Sequence, residues 1–257
     1  MEFRFLDTGK NTPYMNMAID EALLASNSPV LRFYQWLPPA ISIGFSQSMS
    51  REINIAECHK QGIGYVRRLT GGKAVFHESE LTYSIILSAE SVPESIVESY
   101  KMIAKGILLG LRKMGIIAEM KGHPDNAIHS SICFNEPSYY EIVVDSRKLV
   151  GSAQVRKGNK VLQHGSVLID ANIEKLCSLF NIDDTNIVAK TKSRMTSLNR
   201  VLGRNVAYQE VVDAMCYGFG RNFKCRLVPD LLTQEEIESA KRLSAEKYST
   251  DKWNFLR

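Results

Sequence analysis

No pair of cysteines in the 257-residue chain has CxxC spacing, and the five present, Cys58, Cys133, Cys177, Cys216 and Cys225, are odd in number. Neither a disulfide framework nor a zinc site fits that pattern. HExxH is absent, and none of His59, His77, His123, His129 and His164 is set at helical ligand spacing from another. A phosphate-binding loop would need GxxxxGK[ST] and a dinucleotide fold GxGxxG after a strand; the Gly71-Gly72-Lys73 triplet is neither. There is no GxSxG elbow. Missing too are an apolar N-terminal h-region and any uninterrupted apolar run that could span a bilayer, so a reducing cytoplasm and no membrane partner are expected. Charge of one sign is scarce: 32 Lys+Arg against 28 Asp+Glu leave +4. That balance suits solubility and attraction to an acidic protein, and falls short of a nucleic-acid-binding stripe.

What is present is ordinary for a globular protein: 44% hydrophobic and 23% charged residues in a chain long enough for one large domain or two small ones. Phe3 to Asp7 alternates like a short edge strand, and Asn16 to Ser26 places Ile19, Leu23 and Leu24 on one helical face. Val30 to Trp36 and Ala40 to Phe45 read as strands separated by Pro38-Pro39, and Ser50 to Gln61 as a helix capped by Ser50 and ended by Gly62. Ile63 to Leu69 and Leu81 to Leu87 read as further strands. Glu94 to Met114 repeats Ile96, Tyr100, Ile103, Ile107 and Leu111 at three-to-four-residue spacing before Gly115, which makes it the longest helix. Ile116 to Met120 is expected as a strand and His123 to Pro137 as a polar loop. Tyr139 to Asp145, Lys148 to Val155 and Val161 to Asp170 then suggest an antiparallel meander. The last third is helical, over Asn172 to Phe180, Tyr208 to Gly218 and Thr233 to Tyr248, with a Thr233/Glu236 capping box. The fold class is α+β, a mixed or antiparallel sheet flanked by helices in a single catalytic domain: a core over about residues 30–225 and a helical C-terminal extension over 226–257.

Two stretches carry chemistry. In Arg67 to His77, RRLTGGKAVFH, two guanidiniums, a Thr, a Gly-Gly pair and a His lie within eleven residues. Glycine lets backbone take positive φ or approach a ligand closely, and adjacent arginines suggest a ligand that is anionic or strongly polar. The alternative is a tight strand connection with two solvated arginines. Arg67 and Arg68 cannot both enter one pocket from a strand, since neighbouring residues face opposite sides. One of them is structural. The second stretch is SSICFNEPSYYEI, where Cys133 sits in a polar loop, whereas Cys58, Cys177 and Cys216 suit apolar faces. A thiol needs a nearby cation to react at neutral pH, and Lys148 in RKLVGSAQ is a candidate that Cys133 reaches only if its loop folds back.

RRLTGGKAVFH followed by ELTYS, then SSICFNEPSYYEIVVDSRKLVGSAQ and LQHGSVLID, resembles the lipoate and octanoate attachment family. The likeness runs from FRFLDTG and NMAIDEALL to KYSTDKWN and is greatest to its cysteine-dependent octanoyl-carrier-protein:protein octanoyltransferases. The resemblance implies the biotin/lipoate protein ligase catalytic fold, with a sheet around an acyl tunnel. It implies that Cys133 takes the octanoyl group from octanoyl-acyl carrier protein as a thioester, that Lys148 lowers the thiol pKa and polarises the carbonyl, and that no cofactor is needed. A lysine of a lipoyl-domain protein, such as the glycine cleavage H protein, would be the acceptor. Arg68, Thr70, Gly71, Gly72, His77, Gly151, Ser152, Ala153 and His164 would form the substrate site. ATP-dependent lipoate ligases share the loop and a lysine matching Lys148; they would need ATP and Mg, and make Cys133 incidental. Their loop typically has a third glycine where this chain has Lys73, and Gly-Asn where it has Ser79-Glu80. An amidotransferase between lipoyl-domain proteins and a non-catalytic acyl-binding protein are further alternatives. Relatives commonly carry Gly before the Arg-Lys pair; Ser146 stands there in this chain, and Ser does not easily take positive φ.

Overall fold

A computed structural model describes residues 1–122 and 140–257, with Tyr140 described by its backbone alone. The chain opens with β1 (Glu2–Asn11), α1 (Pro13–Ala22), β2 (Val30–Trp36) and β3 (Ala40–Ile43). Thr12 caps α1 by accepting from the Met15 N–H, and Pro13 fills the first helical position, where a missing N–H costs nothing. The expected helix over Ser50 to Gln61 is two helices, α2 (Met49–Glu52) and α3 (Ile55–Lys60). The run breaks because Ile53 is extended and the Asn54 side chain caps α3, and Ser50 lies inside α2 instead of capping it.

β4 (Gly64–Arg67), β5 (Val75–His77) and β6 (Glu80–Ser88) follow, then α4 (Ile96–Lys113), β7 (Glu119–Gly122), β8 (Tyr140–Val144), β9 (Arg147–Lys157) and β10 (Lys160–Leu168). The remainder is α5 (Ile173–Ser178), α6 (Ile187–Arg194), α7 (Leu198–Leu202), α8 (Tyr208–Phe223), β11 (Arg226–Pro229), α9 (Gln234–Leu243) with its Thr233/Glu236 capping box, and α10 (Asp251–Asn254). The 123–137 loop expectation lies outside the described residues.

Among the described residues, eight strands form one sheet in the order β11-β1-β2-β6-β10-β9-β8-β7, and three form a second, β4-β3-β5. β1 is therefore not an edge strand; β11 pairs with it in parallel outside. The meander β8-β9-β10 is antiparallel, as its turn spacing predicts. Strand alternation splits the large sheet into two unlike faces. Leu31, Phe33, Leu81, Tyr83, Ile85 and Val167 pack against α4 and α8 in an apolar core. On the other face, Arg32, Tyr34, Thr82, Ser84, His164 and Ser166 stand side by side in register, covered by α1 and the small sheet. Six polar side chains removed from water must satisfy one another, and this layer holds the site.

Candidate active site

A cleft opens between the polar face of the large sheet and the small sheet. Of the sequence-derived candidates, Arg68, Gly72, His77, Gly151, Ser152, Ala153 and His164 line it; Met17, Tyr34, Trp36, Ser42, Val75, Thr82, Gly165 and Ser166 complete the wall. Thr70 and Gly71 stand behind that wall, where both bond Arg68. Cys133 lies outside the described residues.

The two arginines divide as strand alternation requires. Arg67 turns away from the cleft and donates to the carbonyls of Gly44, Phe45 and Gln47 at 3.1, 2.8 and 2.7 Å and to those of Trp253 and Asn254 at 3.0 and 2.8 Å. It fastens α10 to the loop after β3. Arg68 faces the cleft, and its nitrogens are engaged by protein: Nε by Thr70 Oγ1 at 3.0 Å, Nη1 by Ser42 O and Oγ at 2.9 and 3.2 Å, and Nη2 by Gly71 O and Lys73 O at 2.7 and 2.8 Å. The loop is wound around the guanidinium, and Gly72, at φ +85°, makes the left-handed bend that winding needs.

Hydrogen-bond directions in this network follow from groups that can only donate or only accept. Arg68 donates to Ser42 Oγ and Thr70 Oγ1, and because carboxylates accept at Nδ1 of both neutral rings, the Ser42 and Thr70 hydroxyls donate to His77 Nε2 and His164 Nε2, both 2.7 Å away. Each imidazole then carries its proton on Nδ1, which meets a buried carboxylate: Glu80 Oε1 at 2.7 Å from His77, and Asp20 Oδ2 at 3.2 Å from His164. From the far side, Trp36 Nε1 donates to Thr82 Oγ1 at 2.8 Å, so the Thr82 proton goes to Glu80, which also receives Ser166 Oγ at 2.5 Å. The Trp36 ring stacks on His77 with centroids 4.0 Å apart and planes 12° from parallel.

Asp20 collects Arg32 Nη1 at 2.6 Å, Ser84 Oγ at 2.8 Å and Tyr34 OH at 3.0 Å. Burial pushes its carboxyl up, but Arg32, His164 and Ser84 outweigh burial and hold it below the usual carboxylate range. For His164, burial acts first and lowers the pKa below the ordinary imidazole value, against the partial opposition of Asp20. His164 is therefore a neutral hydrogen-bonding group near pH 7.

Lys148 reaches this face through a bulge. Ile142 pairs with Val150 but Val143 with Lys148, so β9 carries one extra residue, and Leu149 and Val150 both enter the apolar core. Lys148 consequently lies on the same face of the sheet as Gly151, outside the residues that line the cleft, and its buried ammonium ion-pairs with Glu141 on β8. The preceding turn takes Asp145 and Ser146 at φ +49° and +60°, so Ser146 does adopt positive φ. The two-residue hairpin demands it.

Cys58, Cys177 and Cys216 pack against apolar clusters as expected, and burial pushes the Cys58 thiol up to about 11 and the Cys216 thiol up to about 12. Glu80, Asp20, Glu141, Ser42 and Trp36 escaped the sequence reading of the site. A charged residue heading or interrupting an apolar run was the available signal, in Glu80 before Leu81 and Asp20 after Ile19.

Residues 12–220 match the lipoyl protein ligase A/B catalytic domain. An octanoyltransferase LipM from Brevibacillus brevis is 39% identical, with 100% of this chain and 99% of that protein covered. The octanoyltransferase LipM of Bacillus subtilis is also 39% identical, covering 99% and 98%. Among solved structures, a lipoate-protein ligase A bound with ATP superposes with a TM-score of 0.85 at 26% identity, covering 99% of both chains. A Thermoplasma acidophilum protein with bound lipoic acid gives 0.83 at 26% identity, covering 99% of this chain and 100% of that one. The fold is thus the biotin/lipoate ligase catalytic type that the motifs imply.

Proposed function

Because this chain belongs to the family of lipoyl protein ligase A/B catalytic domains, we propose that it is an octanoyltransferase of lipoate biosynthesis working through a covalent cysteine thioester. Octanoyl-acyl carrier protein in the cytoplasm is the donor, Cys133 is the nucleophile, and the acceptor is the ε-amine of a lysine on a lipoyl-domain protein. The thiolate attacks the donor thioester carbonyl and the carrier thiol leaves; the acceptor amine then attacks the Cys133 thioester, and an amide forms as the sulfur departs. Lys148 supplies the positive charge that a reactive thiolate and a developing oxyanion both require. The acyl chain occupies the cleft along Gly151-Ser152-Ala153, and no ATP or magnesium takes part.

The observation that carries this reading is the full-length 39% identity to octanoyltransferases, against 26% to a lipoate-protein ligase of the same fold. Two features agree with it. The bulge sets Lys148 on the same face of the sheet as Gly151, and β9, which bears it, pairs with β8, the strand that follows the Cys133 segment. The test is to incubate the protein with octanoyl-carrier protein without ATP and weigh it intact. One octanoyl mass should appear on the parent and be missing from Cys133→Ser. The same adduct on Cys133→Ser, or a strict ATP requirement with free lipoate, would overturn the assignment.

A further inference from the structure

The thioester reading leaves one chemical demand open. A lysine ε-amine arrives as an ammonium, with an ordinary pKa of about 10.4, and attacks a thioester only after losing a proton. Lys148 is itself a cation and is paired with Glu141; a second group has to accept the proton.

We propose that Ser42, His77 and Glu80 form a proton relay that deprotonates the acceptor lysine. Ser42 Oγ lines the cleft, 2.7 Å from His77 Nε2, and His77 Nδ1 is 2.7 Å from Glu80 Oε1. The Ser42 hydroxyl has one proton, given to His77, and two lone pairs; Arg68 Nη1 occupies one at 3.2 Å, and among the described residues the other is left for a donor in the cleft. Glu80, 1% exposed, also receives Thr82 and Ser166, so the carboxylate is held against Nδ1 from three sides and locks the imidazole in the tautomer whose Nε2 accepts. The stacked Trp36 fixes the ring plane.

Glu80 on β6 is opposite Leu168 on β10, and the adjacent Val167 is opposite Val150 on β9. Lys148, beyond the bulge on β9, stands on the same face of the sheet, with Met195 bridged beside it.

The step balances. The ammonium gives a proton to Ser42 Oγ as the Ser42 proton passes to His77 Nε2, and the imidazolium formed faces Glu80. The freed amine attacks the Cys133 thioester carbon. A C–N bond forms, the C–S bond breaks with its electron pair on sulfur, and the second nitrogen proton goes to the thiolate. His77 returns its proton to solvent. Ser42 and His77 are the catalytic residues of this step and Glu80 is a positioning residue.

The inference rests on the thioester reading, and splitting the half-reactions separates the two. Glu80→Gln keeps the shape but presents an amide to Nδ1. It should still accumulate the octanoyl adduct, while transfer from that adduct to a lipoyl domain at pH 7 falls by about 100-fold, the scale of general base catalysis. Hydroxylamine, which is already unprotonated at pH 7, should discharge the adduct of Glu80→Gln at the parent rate. The deficit toward lysine should narrow as pH approaches the ammonium's own pKa. Ser42→Ala, a second variant in case Glu80→Gln does not fold, should show the same split. Equal losses toward hydroxylamine and lysine, or lysine transfer by both variants at the parent rate, would overturn the relay alone. No adduct on the parent would overturn the thioester reading and, with it, the relay.

Discussion

Gly165→Ala tests the cleft wall where the structure is least forgiving. Gly165 on β10 lies opposite Ser152 on β9 and Tyr83 on β6, and a Cβ built there would come within 2.4 Å of Ser152 Oγ, 2.6 Å of the Gly151 carbonyl oxygen and 2.8 Å of Tyr83 Cε1. Two of these neighbours cannot swing aside. The Gly151 oxygen is backbone within the β9–β10 ladder, and the Tyr83 ring is buried with its OH bonded to Ser152 Oγ at 2.8 Å and to Gln163 Nε2 at 2.9 Å. The strands must part, at an overpacking cost of about 1–3 kcal/mol, which for a chain of this length lowers Tm by roughly 3–10 °C. The displaced segment is the Gly151-Ser152-Ala153 wall, so the octanoyl adduct should form more slowly at the same time. Removing one clash provides an internal check: Ser152→Ala combined with Gly165→Ala should cost less than the sum of the two single changes, because the 2.4 Å contact is gone while the 2.6 Å backbone contact stays. Scanning calorimetry of the four proteins closes the cycle. A Gly165→Ala variant melting within 1 °C of the parent, or strict additivity in the cycle, would refute the reasoning.

Two further outcomes follow from the titrating groups. His164 has a pKa below its unfolded value, so unfolding takes up a proton, and stability should fall as pH drops below about 6.5; Asp20, also lowered, adds a second loss below its ordinary 3.8. Urea midpoints at pH 7.5 and 5.5 should differ in that direction, with a flatter dependence in His164→Gln, and a midpoint that rises on acidification would contradict the assignment. With Cys58 at about 11 and Cys216 at about 12, and Cys177 and Cys225 also raised by burial, only about one in a thousand Cys58 thiols is ionised at pH 8. Brief iodoacetamide treatment of the native protein should therefore leave a single label, on Cys133, detected by peptide mapping; prompt labelling of Cys58 or Cys216 would show that the interior opens.

Elements with a long, regular apolar period were legible in advance: the helix of α4 and the β8-β9-β10 meander lie where spacing places them. Short pieces were not. Val75–His77 is a strand only because Ser42 and its neighbours on β3 supply partners some thirty-five residues away, and Arg226–Pro229 is one only because β1 lies beside it. The same distance hid the carboxylates. Motif reasoning found His77 and His164 but not what orients them, since Glu80 reads locally as the polar start of a strand and Asp20 as one polar residue of an amphipathic helix. Their identity as imidazole partners exists only once β6, β10 and α1 are packed together.

Arg68 shows why a motif can be located correctly and read too simply. Beside a Gly-Gly pair, a guanidinium suggests a clamp for an anionic ligand, yet here Nε, Nη1 and Nη2 are bonded to Thr70, Ser42, Gly71 and Lys73. Such an arginine shapes the loop and orients two hydroxyls, and through them two imidazoles. Its charge is balanced within the protein by carboxylates three hydrogen bonds away along each arm, Glu80 through Ser42 and His77, Asp20 through Thr70 and His164. A wall built this way offers the cleft lone pairs and apolar surface around a neutral acyl group. Replacing Arg68 by Lys would keep the charge but not the fork that sends donors in three directions, so the expected defect is misdirected hydroxyls and slack in the Thr70–Lys73 loop, with the net charge of the site unchanged.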